Sequence, residues 1–261
     1  MPTIEENIGF WTQHDWSKGG DEWSVGWGGS HPMWHTTLLP RIAAYLPTGS
    51  ILEIAVGHGR WTRFLLRQCE KFVGVDLVPE VLEVSKKRFA DASHASFHVN
   101  DGLKLPMVDD ASIDFAFSYD SLVHVERDVI ESYAGELARV LKPGGYAFLH
   151  HSNMGQHLLV PDDPSAGLTE PNTGYRGITV SSVVAKELFE AAGLWVIGQE
   201  RVQWGGKVYN DCMSLVHRPT DPSAPRPESK QSENPHFSTE CHLSAGRASF
   251  YCPLGKTIDQ L

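Results

Sequence analysis

Residues 50–60 read Ser-Ile-Leu-Glu-Ile-Ala-Val-Gly-His-Gly-Arg, an apolar run that stops at Gly57-His58-Gly59. A short aliphatic run closed by glycine predicts a buried strand. Two glycines at i and i+2 let the backbone turn tightly and come close to a ligand. Helical spacing resumes over 61–70, so the turn would face the free N–H groups at the start of a helix. A dinucleotide fingerprint needs a third glycine at position 62, where Thr62 stands. That side chain leaves poor clearance for a pyrophosphate, which disfavours a nicotinamide cofactor. Taken alone, the glycine pair reads equally well as a plain strand–helix turn.

Outward from this stretch, strands and helices alternate. Strands are predicted over 72–76, 96–99, 113–118 and 146–151, and again over 195–203 and 211–217. Helices are predicted over 79–90, over 129–141, and over 183–192. The second stops at Lys142-Pro143-Gly144-Gly145 and the third at Gly193, where Pro and Gly end helices. The alternation implies an α/β class with a mostly parallel sheet and helices on both faces. The last two strands can form an antiparallel edge.

In such a sheet, ligands bind beyond the C-terminal strand ends. Asp76 ends the second strand, where a carboxylate can accept both hydroxyls of a ribose or cap a helix. Asn100-Asp101-Gly102 follows the third strand, where an acid beside a backbone N–H can read adenine or form an ordinary Asx turn. Ser118-Tyr119-Asp120-Ser121-Leu122-Val123-His124 follows the fourth, at the reactive end of any such ligand.

The flanks differ in composition. Residues 1–48 hold five of the eight tryptophans and the cluster Gly26-Trp27-Gly28-Gly29. Residues 219–261 open with a Pro/Ser-rich stretch and are expected to be a largely disordered tail, although residues 248–254 are apolar enough to dock. The formal net charge is −10, with 22 Lys and Arg against 32 Asp and Glu, which argues against a nucleic-acid partner. No apolar run reaches the roughly 18 residues of a membrane span. The N-terminus lacks the basic and apolar regions of a signal peptide, so a cytoplasmic protein is expected. The four cysteines form no CxxC pair, which excludes a zinc knuckle and makes a disulfide framework improbable.

The ordered series Glu53-x-x-x-Gly57-x-Gly59, Asp76, Asp101-Gly102, Asp114–Asp120 and Leu141-Lys142-Pro143-Gly144-Gly145 resembles class I S-adenosylmethionine-dependent methyltransferases. The resemblance spans 50 to about 217 and implies a Rossmann-like, seven-stranded sheet with an antiparallel edge strand. With the N-terminal helical lid, the domains become 1–48 (lid and acceptor segment), 49–218 (methyltransferase domain) and 219–261 (tail). It also implies that Glu53, Gly57 and Gly59 line the methionine end of the cofactor, that Asp76 holds the ribose, and that Asp101 and Gly102 meet the adenine. Tyr119 and its neighbours would then sit near the sulfonium methyl. The phrases at 27–42, 53–62, 120–126 and 149–155 further resemble bacterial O-methyltransferases of sugar and polysaccharide pathways.

Methyl transfer is an in-line displacement, so alignment supplies much of the acceleration. A sugar hydroxyl is a poor nucleophile at neutral pH and calls for a general base. His151, His150 and His124, with Asp120, are the candidates. Alternation along a strand sends His150 and His151 to opposite faces, and His151, nearer the mouth of the strand, is the favoured base. Asp120, His150 and Asn153 also have the donor types of a hard cation, so a magnesium ion holding two acceptor oxygens is an alternative to a hydrogen-bond network. Trp23, Trp27 and Trp34 can form a lid or sugar platform, or simply pack on the sheet. Trp27, His31 and Trp34 are the acceptor-binding candidates. The expected partner is a small-molecule acceptor, a carbohydrate first and another small metabolite second. A non-catalytic cofactor-binding scaffold is the reading outside enzymes, and a homo-oligomer is allowed.

Overall fold

The structure is a computed structural model and describes residues 2–158, 175–205 and 208–240. Eight strands form one sheet: β1 (Thr48–Ile54), β2 (Cys69–Asp76), β3 (Ala95–Val99), β4 (Ile113–Leu122), β5 (Leu141–Ser152), β6 (Trp195–Val202), β7 (Asp211–His217) and β8 (Lys230–Asn234). Their spatial order is β3-β2-β1-β4-β5-β7-β6-β8. The pairs from β3 through β5 are parallel, and β7 runs antiparallel to both β5 and β6. The order reverses between β1 and β4, which is where a ligand crevice opens in an open α/β sheet.

Two details differ from expectation. The antiparallel strand lies inside the sheet, between β5 and β6, instead of at its edge. The edge is β8, drawn from the tail expected to be disordered and paired parallel with β6 from Gly198↔Lys230 to Val202↔Asn234. Its sequence, Lys-Gln-Ser-Glu-Asn, has no apolar alternation, so its order comes from backbone pairing and from polar contacts of Gln231, Glu233 and Asn234 with Gln199, Arg201 and Glu200. Phe237, just beyond it, is fully buried against Trp27 and Trp204. Residues 241–261, including the apolar 248–254, lie outside the described residues.

Strand alternation sorts the core into two halves. Leu52, Ile54, Val73, Val75, Ala147 and Leu149 face the helices Arg127–Val140 and Ser182–Ala191. Ile51, Phe72, Phe115, Phe117 and Phe148 face the N-terminal segment. That segment begins with α1 (Ile4–Gln13), fixed by a capping box in which Thr3 and Glu6 bond each other's backbone N–H. Two 3₁₀ turns follow at Trp16–Lys18 and Asp21–Trp27, then short helices over 30–45. Among the described residues no helix is long and apolar enough to cross a membrane, and Cys69 and Cys212 are free thiols.

Candidate functional site

A pocket opens where β1, β2 and β4 end, and the N-terminal segment roofs it. Its floor is the turn after β1. Ala55, Gly57 and Gly59 have φ values of 63°, 56° and 81°, in the left-handed region. A Cβ on Gly59 would lie 2.3 Å from the Phe89 ring, so only glycine fits there. Ala55 holds the same backbone region at a steric cost that glycine avoids.

Asp76 laces the floor together. Its Oδ2 accepts the Gly57 N–H at 2.8 Å and its Oδ1 accepts the Val78 N–H at 3.0 Å. Burial raises the pKa of this carboxyl, against the pull of these backbone donors. A carboxylate has about four lone-pair sites, so both oxygens keep capacity for ribose hydroxyls. Glu53 lies beneath the floor, 2% exposed and outside the pocket wall. It accepts from Thr62 Oγ1 at 2.6 Å, and burial pushes its carboxyl up to about 8. Thr62, read from the sequence as an obstacle to pyrophosphate, is thus a partner for Glu53.

Past β3, Gly102 and Asn100 line the pocket, while Asp101 faces solvent. Asp101 Oδ1 accepts from the N–H groups of Leu103 and Lys104 at 2.8 and 2.7 Å, the Asx turn that competed with the adenine reading. Burial raises its pKa, but these bonds and the Lys104 charge together outweigh it and hold the carboxyl below its ordinary value. Asn100 donates to Tyr133 Oη at 2.8 Å.

At the end of β4, Tyr119 and Asp120 enter the wall as expected. The Tyr119 hydroxyl and the Trp61 indole N–H are buried and have no hydrogen-bond partner among the described residues. Buried polar groups of this kind are normally satisfied, and a polar ligand beside them would do so. Asp120 pairs with Arg60 at 2.7 Å. The Arg60 guanidinium lies 4.6 Å from the Trp61 ring and 5.5 Å from Trp23.

The roof is aromatic. Trp11, Trp16 and Trp23 sit with ring centroids 5.8–5.9 Å apart, and all three line the pocket. The Asn7 amide ties them down by donating to the His124 carbonyl at 2.9 Å. Trp27, His31 and Trp34, the expected acceptor residues, lie elsewhere. Trp27 donates to Thr37 Oγ1, Trp34 stacks on Phe64 at 5.0 Å, and His31 meets the edge of Phe64. They belong to the sheet-packing alternative.

The histidines separate as alternation requires, but not with the favoured outcome. His151 shares the face of Ala147 and Leu149, behind the sheet and away from the pocket. It is fully buried, with Nδ1 on the Ser152 carbonyl (2.9 Å) and Nε2 on Ser214 Oγ (2.8 Å). Burial pushes its pKa down to about 4. It has no nitrogen left for an acceptor, which removes it as the base. His150 shares the pocket-side face, stacked on Tyr119 at 4.6 Å. Asn153 is spent on structure: its amide donates to the Tyr209 carbonyl and accepts from the Ser182 N–H. The proposed magnesium trio therefore does not converge, and no group of three His, Cys, Asp or Glu able to hold a metal occurs among the described residues. His124 is half-buried, its Nδ1 is 2.7 Å from the Tyr175 carbonyl, and burial lowers its pKa. The carbonyl can only accept, so the neutral ring carries its proton on Nδ1 and a lone pair on Nε2.

Arg60, Trp11, Trp16 and Trp61 were not among the sequence candidates for this wall. Arg60 directly follows the glycine pair, and that adjacency was the available signal.

Residues 51–145 match the family model described as a methyltransferase domain. Phosphoethanolamine N-methyltransferase 1 of Triticum aestivum is 26% identical over 118 residues, 43% of this chain and 24% of that protein. The biotin biosynthesis bifunctional protein BioHC of Cellvibrio japonicus is 32% identical over 123 residues, 47% of this chain and 23% of that protein. The chain thus spans about a quarter of the length of these curated relatives. A solved SAM-dependent methyltransferase from Methanosarcina mazei superposes with a TM-score of 0.54 at 20% identity, over 70% of this chain and 99% of that one, which shows a shared fold. The matched segment is the one that builds the pocket floor from β1 to β5, and over that segment the chain is similar to a methyltransferase domain.

Proposed function

We propose that the protein transfers a methyl group from S-adenosylmethionine to a hydroxyl of a small carbohydrate or glycoside. The observation that carries the reading is the arrangement of His124: one ring nitrogen held by the Tyr175 carbonyl, the other left as an acceptor, 5.3 Å between its ring and that of the pocket residue Trp11. Burial keeps the imidazole neutral, the form a general base needs.

Bound S-adenosylmethionine supplies an electrophilic methyl on a sulfonium. The floor fits it: Asp76 has lone pairs for the ribose, Gly57 allows close approach while Gly59 packs against Phe89 outside the pocket lining, and Tyr119 and Trp61 offer unsatisfied polar atoms. The Trp11, Trp16 and Trp23 faces exclude water and suit the apolar C–H surface of a sugar. Asp120 and Arg60 orient polar groups at the same end, and His124 takes the hydroxyl proton on Nε2.

An amine acceptor is the second reading, favoured by the likeness to phosphoethanolamine N-methyltransferase. A non-catalytic binding role is the third.

Calorimetry with S-adenosylhomocysteine tests the cofactor, with Asp76→Ala as control. Micromolar binding by the wild type and a loss of roughly tenfold or more in the variant are expected. Absence of binding overturns the reading. Labelled S-adenosylmethionine with panels of sugars and small amines then decides the acceptor. Product from amines alone replaces the carbohydrate reading, and none from either panel favours the binding role. His124→Ala should lower turnover by ~10²-fold or more while sparing cofactor affinity.

A further inference from the structure

The chain between Tyr119 and Ser121 leaves the regular ladder. Ser118 pairs with Leu149 but Leu122 pairs with His151, so two extra residues bulge from β4. Asp120 sits in this bulge with φ of 61°, an uncommon conformation for a non-glycine residue. Such a conformation persists only where its surroundings over-determine it.

The surroundings are a side chain of the next strand. The Asp120 N–H donates to His150 Nδ1 at 3.1 Å. An amide can only donate, so Nδ1 holds a lone pair and the neutral ring carries its proton on Nε2. That atom is buried without a formed hydrogen bond, and Asp211 Oδ2 lies 3.4 Å away, close enough for the carboxylate charge to favour a proton there. Asp211 is fully buried and is gripped by Arg176 through two bonds of 2.5 and 2.8 Å. Tyr119 and Trp204 both pack on the imidazole, with centroids 4.6 and 5.4 Å from it and 6.0 Å from each other, and hold the ring in place. On the far side of the bulge, the Asp120 carboxylate meets Arg60 at the pocket wall.

We propose that His150 is a positioning residue: its Nδ1 holds the backbone of Asp120 in the left-handed kink that delivers the carboxylate to Arg60, and Asp211 with Arg176 fixes the tautomer that lets it do so. The role acts through Asp120 and needs no contact between His150 and substrate. Its consequence for binding rests on the cofactor reading above.

Two substitutions separate this role from simple neutralisation of Asp211. His150→Asn places an amide oxygen near the former Nδ1, where it accepts from Asp120. His150→Gln reaches instead toward the former Nε2 and Asp211. Amide hydrogen exchange of Asp120, read by NMR without ligand, should stay slow in the wild type and His150→Asn. It should quicken about tenfold or more in His150→Gln. Affinity for S-adenosylhomocysteine should follow the same order, with His150→Asn within a few-fold of wild type and His150→Gln about tenfold weaker. The opposite order, or equal protection in both variants, overturns the proposal. Failure of the wild type to bind S-adenosylhomocysteine overturns the cofactor reading and leaves the exchange result to decide the positioning role. If neither variant folds, the ring-nitrogen spectrum of wild-type His150 decides: an unprotonated Nδ1 and protonated Nε2 support it, and a protonated Nδ1 refutes it.

Discussion

Trp16 lies flat against His58, with ring centroids 4.5 Å apart and planes 20° from parallel. His58 is the residue between the two glycines of the pocket floor, so the N-terminal roof rests on that floor through one stacked pair. A Cβ on Gly57 would meet the same indole at 3.5 Å.

Removing Trp16 should therefore open the roof at the floor. Aromatic pairs contribute about 0.5–1.5 kcal/mol beyond the area they bury. Trp16→Ala should weaken S-adenosylhomocysteine binding by up to roughly tenfold and hasten proteolysis near residues 14–20. Unchanged affinity in calorimetry would show that the roof is not part of the cofactor site.

Ala55 makes an opposite kind of prediction. Its backbone is left-handed, a region that costs an L-residue about 1–2 kcal/mol, while glycine there is free of strain but loses more chain entropy on folding. Ala55→Gly should stabilise the protein by up to about 1 kcal/mol, or a rise of roughly 2–4 °C in melting temperature. A lower melting temperature would place the alanine methyl in a packing role.

Glu53 should make stability fall with rising pH. Its ordinary value is 4.5, and burial pushes it up to about 8 in the folded protein. Between these values the unfolded chain has released a proton that the folded chain keeps, so stability decreases as pH rises across that window and levels off on both sides. Glu53→Gln removes the proton while keeping an acceptor for Thr62. Denaturant unfolding between pH 5 and 8.5 should show a smaller loss in the variant than in the wild type, and equal slopes would refute the assignment.

Phe237 tests the tail. It is fully buried between Trp27 and Trp204, and truncating such a residue typically costs about 3–5 kcal/mol. Phe237→Ala should lower the unfolding free energy by that order. A change under about 1 kcal/mol would mean that the tail is dispensable for folding.

The strands and Asp76 were legible because hydrophobic runs and terminal acids are local signals. Strand β8 was not, because Lys-Gln-Ser-Glu-Asn buries almost no side chain and is held by hydrogen bonds to β6 that leave no trace in composition. Alternation correctly sent His150 and His151 to opposite faces. Which face carried the pocket depended on where the N-terminal segment packs, a contact between distant residues. The tryptophans show the same limit. The segment breaks into one ten-residue helix and several 3₁₀ turns and short helical pieces with no shared period, so spacing could not tell Trp11, Trp16 and Trp23, in the pocket wall, from Trp27 and Trp34, in the core.

The Asn7–His124 bond joins positions 117 residues apart, and it bears on how the chain is made. Ribosomal synthesis at roughly 5–20 residues per second leaves the tryptophan-bearing segment waiting on the order of ten seconds for its other wall. During that interval Trp11 lacks the wall that His124 supplies, although His58 and Arg60 already offer surfaces to Trp16 and Trp23, and a nascent chain with an incompletely covered aromatic patch is a client for chaperones. Expression yield should therefore respond to slower translation after residue 30, or to chaperone supply, more than the stability of the finished protein would suggest.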